Sequence, residues 1–513
     1  MTKSSLVIVY HRQPYEEVEE NGEIVFRENK SPNGVVPALK GFFGSVDKGC
    51  WIAWKQSEQE GVADFEQRIE IDDSFGQYEV FRIPMTQEQV KSFYHVTSKE
   101  ALWPILHSFP WMFNYDAVDW ETFRQVNKQF ADAAIEQASD DAIIWVHDYN
   151  LWLVPSYIRQ KKPNARIAFF HHTPFPSADV FNILPWREEI VDSLLCCDLL
   201  GFHIPRYAEN FAGVARALRG VELGERVVVG LPFVDKGAAL SEPTVVQSLH
   251  HEGRKVELDA WPIGTNPAVI NEHLSTFDAG QKVFEIRNEI GDQKLLVSVG
   301  RVDYVKGSKQ LLEGFDRLLT RRPELKNKIK LFLICVAPAM NTEGYRIAQQ
   351  EVEQLVGAIN GKHGNLTWTP IMLSTRPVPF NELVCYYRAA DVCWTPPLRD
   401  GLNLVAKEFI AAQNGEPGAL VLSEFAGAAA ELPDAIMTNP YSHDDMDRAI
   451  DEALDMSMEE RRRRMDALRK NVENWDVHFW ADHVMGRFKA LRGPFETKET
   501  EKELKKAEPK AAA

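Results

Sequence analysis

The chain writes one order of elements twice. Up to about residue 265, short runs rich in β-branched and aromatic residues alternate with amphipathic stretches. The runs include Ala142 to Tyr149, Arg166 to His172 and Leu199 to Ile204; the stretches include Trp120 to Ala138 and Ile204 to Leu218. Runs that are apolar throughout suit strands buried on both faces, and the stretches between them are long enough for crossover helices. The order then restarts with Lys294 to Gly300, Lys328 to Val336, Leu366 to Leu373, Asp391 to Pro396 and Ala419 to Phe425. Helical patterns such as Ser308 to Leu319 and Leu402 to Asn414 separate these runs. The pattern predicts an α/β chain of two doubly wound, Rossmann-like domains, 1–265 and 266–475, as a length of 513 residues also favours. The boundary is expected in Trp261 to Asn271, where Gly264 and two prolines interrupt the pattern.

Several function classes are disfavoured at this stage. A formal charge of −17 repels nucleic acid and anionic lipid, so neither is expected as a main partner. No apolar run approaches the ~20 residues that span a bilayer. Ser4 to Tyr10 reads as a first strand and not as a signal peptide, and the six cysteines show no paired metal-ligand spacing, so a cytoplasmic protein is expected. There is neither a Walker-type phosphate loop nor a G-x-G-x-x-G fingerprint, which argues against NTPase and dehydrogenase chemistry. Beyond Ser442 the pattern is helical; Arg461 to Arg464 is expected to be a solvated helix face, and the charged, alanine-rich 494–513 a disordered tail.

Open parallel sheets bind ligands beyond the carboxyl ends of their strands, so candidate residues are sought there. LLVSVG ends at Gly300 and runs at once into Arg301, Asp303 and Lys306, two cations that suit a pyrophosphate, although a surface loop pairing with nearby acids is the bland alternative. TPPLRDGLNLVAKE places Asp400, Gly401 and Asn403 at the start of a helix, where backbone N–H groups can hold an anion. Glu408, further along, could accept from ribose hydroxyls, or be an ordinary solvated glutamate. In the first half, strand ends carry His147, Asp148 and Tyr149, then His171 and His172. Adjacent histidines point to opposite faces of a strand, so a zinc site is disfavoured and no metal is expected. Asp148 could orient or deprotonate an acceptor hydroxyl, or simply cap a helix. Trp54, Tyr94 and Trp103 would by default be core.

Taken together, WVHDYNLWLVP, FFHHTPFPSADVFNILPWREEI, DLLGFH, GRVDYVKG, TPPLRDGLNLVAKE and LSEFAGAAAEL resemble, in order and spacing, the retaining glycosyltransferases that include trehalose-6-phosphate synthase, over residues 5 to 490. KSPNGVVPALKGFF, FYHVTSKEALWPILHSFPWMF and GFHIPRYAENF look more like that family's glucosylglycerol-phosphate-forming branch. The chain departs from the trehalose pattern at Tyr10-His11-Arg12, and at APAMNTEGYR, which lacks an arginine before Arg346. The resemblance implies a GT-B architecture in which a C-terminal helix, 476–493, packs back on the first domain. It implies a retaining, metal-independent enzyme without cofactor that takes ADP-glucose as donor and glycerol 3-phosphate as acceptor, making the precursor of a compatible solute.

Carried over by position, Arg301 and Lys306 would neutralise the donor diphosphate. Asp400, Gly401, Asn403 and Leu404 would hold its glucosyl hydroxyls and phosphates, and Glu408 its ribose. Gly34 would let backbone approach the diphosphate, and His172 would face the glucosyl ring. Arg12 would hold the acceptor phosphate, with Trp54, Tyr94, Trp103 and Asp148 shaping that pocket. The alternatives are a trehalose-6-phosphate synthase using UDP- or ADP-glucose with glucose 6-phosphate, and an inactive regulatory binding protein. Homo-oligomer formation is left open.

Overall fold

The structure is a computed structural model that describes residues 3–20, 22–28, 34–337 and 343–492; the expected tail at 494–513 lies outside them. Two sheets organise the described residues. In the first, seven parallel strands lie in the spatial order Gly76–Met85, Gly49–Gln56, Ser4–Val9, Ala138–His147, Arg166–His171, Leu199–Phe202 and Arg254–Ala260. Antiparallel strands extend both edges to ten. Leu6, Val7, Ile8, Val9, Ile143 and Val146 are all 0% exposed, as uninterrupted apolar strands covered on both faces should be. The second sheet is wholly parallel, in the order Ile371–Ser374, Ile329–Val336, Lys294–Arg301, Val392–Thr395, Ala419–Ser423 and Ile436–Thr438.

In each sheet the chain starts in the middle and winds outward both ways, from Ser4–Val9 in one and Lys294–Arg301 in the other. At such a reversal, neighbouring connections leave to opposite faces and open a crevice at the strand ends. His11 and Arg12 leave the first crevice, and Val302 and Asp303 the second.

The two halves are joined by the extended stretch before helix Pro267–Leu274 and by the last helix, Val477–Arg492, which returns to the first sheet. Trp480 is 0% exposed, its ring 5.4 Å from Phe42, 5.8 Å from Trp145 and 5.7 Å from Phe170. His483 meets Asp259 at 2.7 Å and Arg487 meets Glu257 at 2.8 Å.

Some local expectations fail. Leu366 is fully exposed: Asn365 and Trp368 bridge a turn, and only Ile371–Ser374 remains of the strand expected over Leu366 to Leu373. Arg461 is buried and donates to the Ala453 carbonyl at 3.0 Å, unlike the solvent-facing Arg462 and Arg463. The acidic hairpin Tyr15–Glu20 and Glu23–Glu28 has no apolar stripe to announce it. Lys91–Leu102 winds as a π-helix, in which the Ser98 hydroxyl donates to Phe93 O, five residues back, at 2.8 Å.

Candidate active site

The two crevices meet in one cavity of about 640 Å³. Its second-domain wall is built by a loop that can only run where it does because Gly307 takes φ +70°, and because a Cβ there would strike the Pro396 carbonyl. That packing sets Lys306 against Asp400, Nζ to Oδ2 2.7 Å. Asn403 caps helix Leu404–Ala412 by accepting from Ala406 N–H at 3.0 Å, while its amide donates to Asp400 Oδ2 at 3.2 Å and to Thr395 Oγ1 at 3.1 Å. Burial pushes the Asp400 carboxyl up, but Lys306, His107 and Asn403 outweigh it and hold the group below its ordinary value. Arg301 stands at the strand end with its side chain 45% exposed, 4.0 Å from Asp303. Glu408 is buried and accepts from the Tyr387 hydroxyl at 3.4 Å, so it is not the solvated helix glutamate of the bland alternative.

The first-domain wall carries Arg12, Gly34, Lys99, Trp103, Asp148 and His172. Gly34 has φ +122°, a conformation that a side chain resists, and opens the short helix Val35–Lys40. Asp148 has φ +68°; its N–H donates to Phe170 O at 2.9 Å, and its Oδ1 accepts from His172 N–H and Thr173 Oγ1, both at 3.3 Å. Burial raises this carboxyl to about 6, with Tyr149 N–H, Lys99, His172 and Thr173 only partly opposing. Burial, with His171 and Arg12 beside it, lowers the His172 imidazole to about 3, so it is neutral; its Nε2 lies 3.1 Å from His147 Nδ1. His171 points the other way, among Trp152, Phe175 and Phe202, as alternation along a strand requires.

The cavity therefore gathers Arg12, Gly34, Trp103, Asp148, His172, Arg301, Lys306, Asp400, Gly401, Asn403, Leu404 and Glu408. Trp54 and Tyr94 do not line it. Trp54 and Tyr94 pack half-buried against the first-domain core, and Tyr94 lies near Arg12, its ring 5.4 Å from that of His11. Lining residues that the sequence reading does not assign to the site include Tyr10 and His203, each just after a strand; His107, which donates from Nδ1 to Trp103 O at 2.9 Å; and Lys99, which stands four residues before Trp103, a helical spacing that could have paired them.

Two parallel-sheet domains facing across a crevice with cations on one wall and an acid and a neutral histidine on the other form a GT-B glycosyltransferase. The chain belongs to glycosyltransferase family 20, whose family model matches residues 4–490. It is 55% identical over 482 residues to the glucosylglycerol-phosphate synthase of Synechocystis sp., covering 94% of this chain and 97% of that one. It is 33% identical over 495 residues to the UDP-forming α,α-trehalose-phosphate synthase of Pichia angusta, covering 94% and 99%. The structure of the UDP-forming α,α-trehalose-phosphate synthase of Burkholderia xenovorans in complex with glucose-6-phosphate is similar with a TM-score of 0.80 at 29% identity, over 95% of this chain and 100% of that one. Among the described residues no helix is long and apolar enough to cross a membrane.

Proposed function

We propose that the chain transfers glucose from ADP-glucose to glycerol 3-phosphate, with retention, giving 2-O-(α-D-glucosyl)glycerol 3-phosphate and ADP. The observation that carries the reading is the placement of Arg301 and Lys306 opposite Arg12 across one cavity, with 55% identity to a glucosylglycerol-phosphate synthase behind it. The trehalose-phosphate synthase of Pichia angusta is more distant, at 33% identity. The donor diphosphate sits against Arg301, Lys306 and the amides of Gly401, Asn403 and Leu404, the ribose against Glu408, and the glucosyl ring under His172. As the anomeric carbon–oxygen bond breaks, negative charge builds on the diphosphate, where two fixed cations stabilise it. The acceptor hydroxyl forms the new bond on the same face, and its proton passes to the departing diphosphate oxygen. Asp148 orients that hydroxyl, and Arg12 holds the acceptor phosphate. Domain closure excludes water, the competing acceptor.

The test crosses ADP-glucose and UDP-glucose with glycerol 3-phosphate and glucose 6-phosphate, with and without EDTA, and follows nucleoside diphosphate release. The expected result is fastest release with ADP-glucose and glycerol 3-phosphate, unaffected by EDTA. Faster release with glucose 6-phosphate would overturn the acceptor assignment.

A further inference from the structure

Lys99 is a buried ammonium without a contacting counter-ion. It is 8% exposed, lines the cavity, and makes no ion pair among the described residues. Its Nζ lies instead over the Trp103 ring, 4.0 Å from the centroid, with the Tyr94 ring at 5.6 Å. A cation–π contact offsets only part of what burying an ammonium costs. The charges that act on it from further off are Arg301, Asp303, Arg12 and Asp148, so two of the four repel it. Tyr94 neighbours both first-domain cations, acting on Arg12 through space and meeting Lys99 with its ring. A π-helical segment, a form that recurs at functional sites, holds Lys99 in place.

We propose that Lys99 and Arg12 are the two sides of the acceptor-phosphate site, and that Lys99 makes the enzyme select phosphorylated acceptors. The inference rests on the reading of this cavity as a glucosyl-transfer site and deepens it. An incoming phosphate supplies the missing anion, and with it the charge-assisted hydrogen bonds that the ammonium lacks. Burial, followed by Arg301, brings Lys99 down to about 7, and an anion beside it favours the charged form.

The test uses the full chain carrying Lys99→Met or Lys99→Arg, with glycerol 3-phosphate and unphosphorylated glycerol compared as acceptors at saturating donor. Lys99→Met is expected to lower kcat/KM for glycerol 3-phosphate about 10- to 100-fold, while glycerol and the donor KM stay unchanged. Lys99→Arg should recover part of the loss. Inorganic phosphate titrated into the ADP-saturated enzyme should bind the wild type at least about 10-fold more tightly than Lys99→Met. An equal loss on both acceptors, no loss on the phosphorylated one, or no difference in phosphate binding would overturn the proposal. If the wild type turns over glucose 6-phosphate in place of glycerol 3-phosphate, the acceptor assignment above falls. The Lys99 comparison then runs on glucose 6-phosphate against glucose with the same deciding outcomes.

Discussion

The hydroxyl of Tyr207, on a first-domain helix, donates to the backbone carbonyl of Asp400 in the second domain at 3.0 Å, across 193 residues of chain. Asp400 also binds Lys306, so the loop that carries this cation is tied directly to the opposite wall. Tyr207→Phe removes that tie but leaves the carbonyl bonded to Gly427 N–H at 3.1 Å, so no buried acceptor is orphaned. A loss of about 1 kcal/mol is expected, or about 5-fold in kcat/KM. With closure loosened, water should compete better, and the ratio of donor hydrolysis to transfer should rise; an unchanged ratio would contradict a closing role.

The walls touch again at Gly401, where a Cβ would meet the backbone carbonyl of His172. Backbone cannot step aside as a flexible side chain can. Gly401→Ala should hold the walls apart and reduce turnover by about 10²-fold, the order expected for a small misplacement of reacting groups. Thermal unfolding should be nearly unchanged, since the substitution strikes the cleft and neither core. A variant with native turnover would show that this contact does not set the cleft width.

Asp148 makes stability depend on pH in a defined direction. Its folded carboxyl, near 6, lies above the ordinary value of 3.8, so the folded state binds the proton more tightly than the unfolded chain. That stabilisation is present below 3.8 and is lost as pH rises through about 6. Asp148→Asn does not titrate, and asparagine tolerates the positive φ. Its stability relative to wild type should therefore improve between pH 4 and pH 7, by up to about 3 kcal/mol, as transfer fails. Denaturant melts at both pH values check this; a constant difference would contradict it.

Trp480 joins the last helix to the first sheet. Removing a fully buried tryptophan typically costs about 3–5 kcal/mol, so Trp480→Ala should lower stability by that order in guanidinium unfolding. A loss under about 1 kcal/mol would mean that the helix contributes little to the fold.

The fold was legible because buried parallel strands declare themselves as apolar runs: Lys294 to Gly300 and Arg166 to His172 were each predicted to within one residue. Leu366 misled because an apolar residue in a turn looks like a strand residue. The hairpin of YEEVEE and EIVFRE escaped because acids fill most of its first strand and the apolar residues of the second, Ile24, Val25 and Phe26, are consecutive and do not alternate. Within the cavity, Arg12, Asp148, His172 and Arg301 are legible because they stand at or just after strand ends, where side chains converge, although Tyr10 and His203 stand there too without being assigned. Lys99 and His107 were not singled out. Both lie away from strand ends, and the charged groups that act on them, Arg301 and Asp303 on Lys99 and Lys306 and Asp400 on His107, are far off in sequence. Trp54 and Tyr94 are expected at the cavity but pack against the first-domain core and do not line it.

Uptake of the departing diphosphate's charge by Arg301 and Lys306 underlies the proposed transfer. It is tested most directly by single-turnover transfer with saturating donor and acceptor in Arg301→Ala and Lys306→Ala. Each should slow the chemical step by about 10²- to 10³-fold, near 3 kcal/mol, while circular dichroism and melting stay native-like. A near-native rate in either variant would contradict the account.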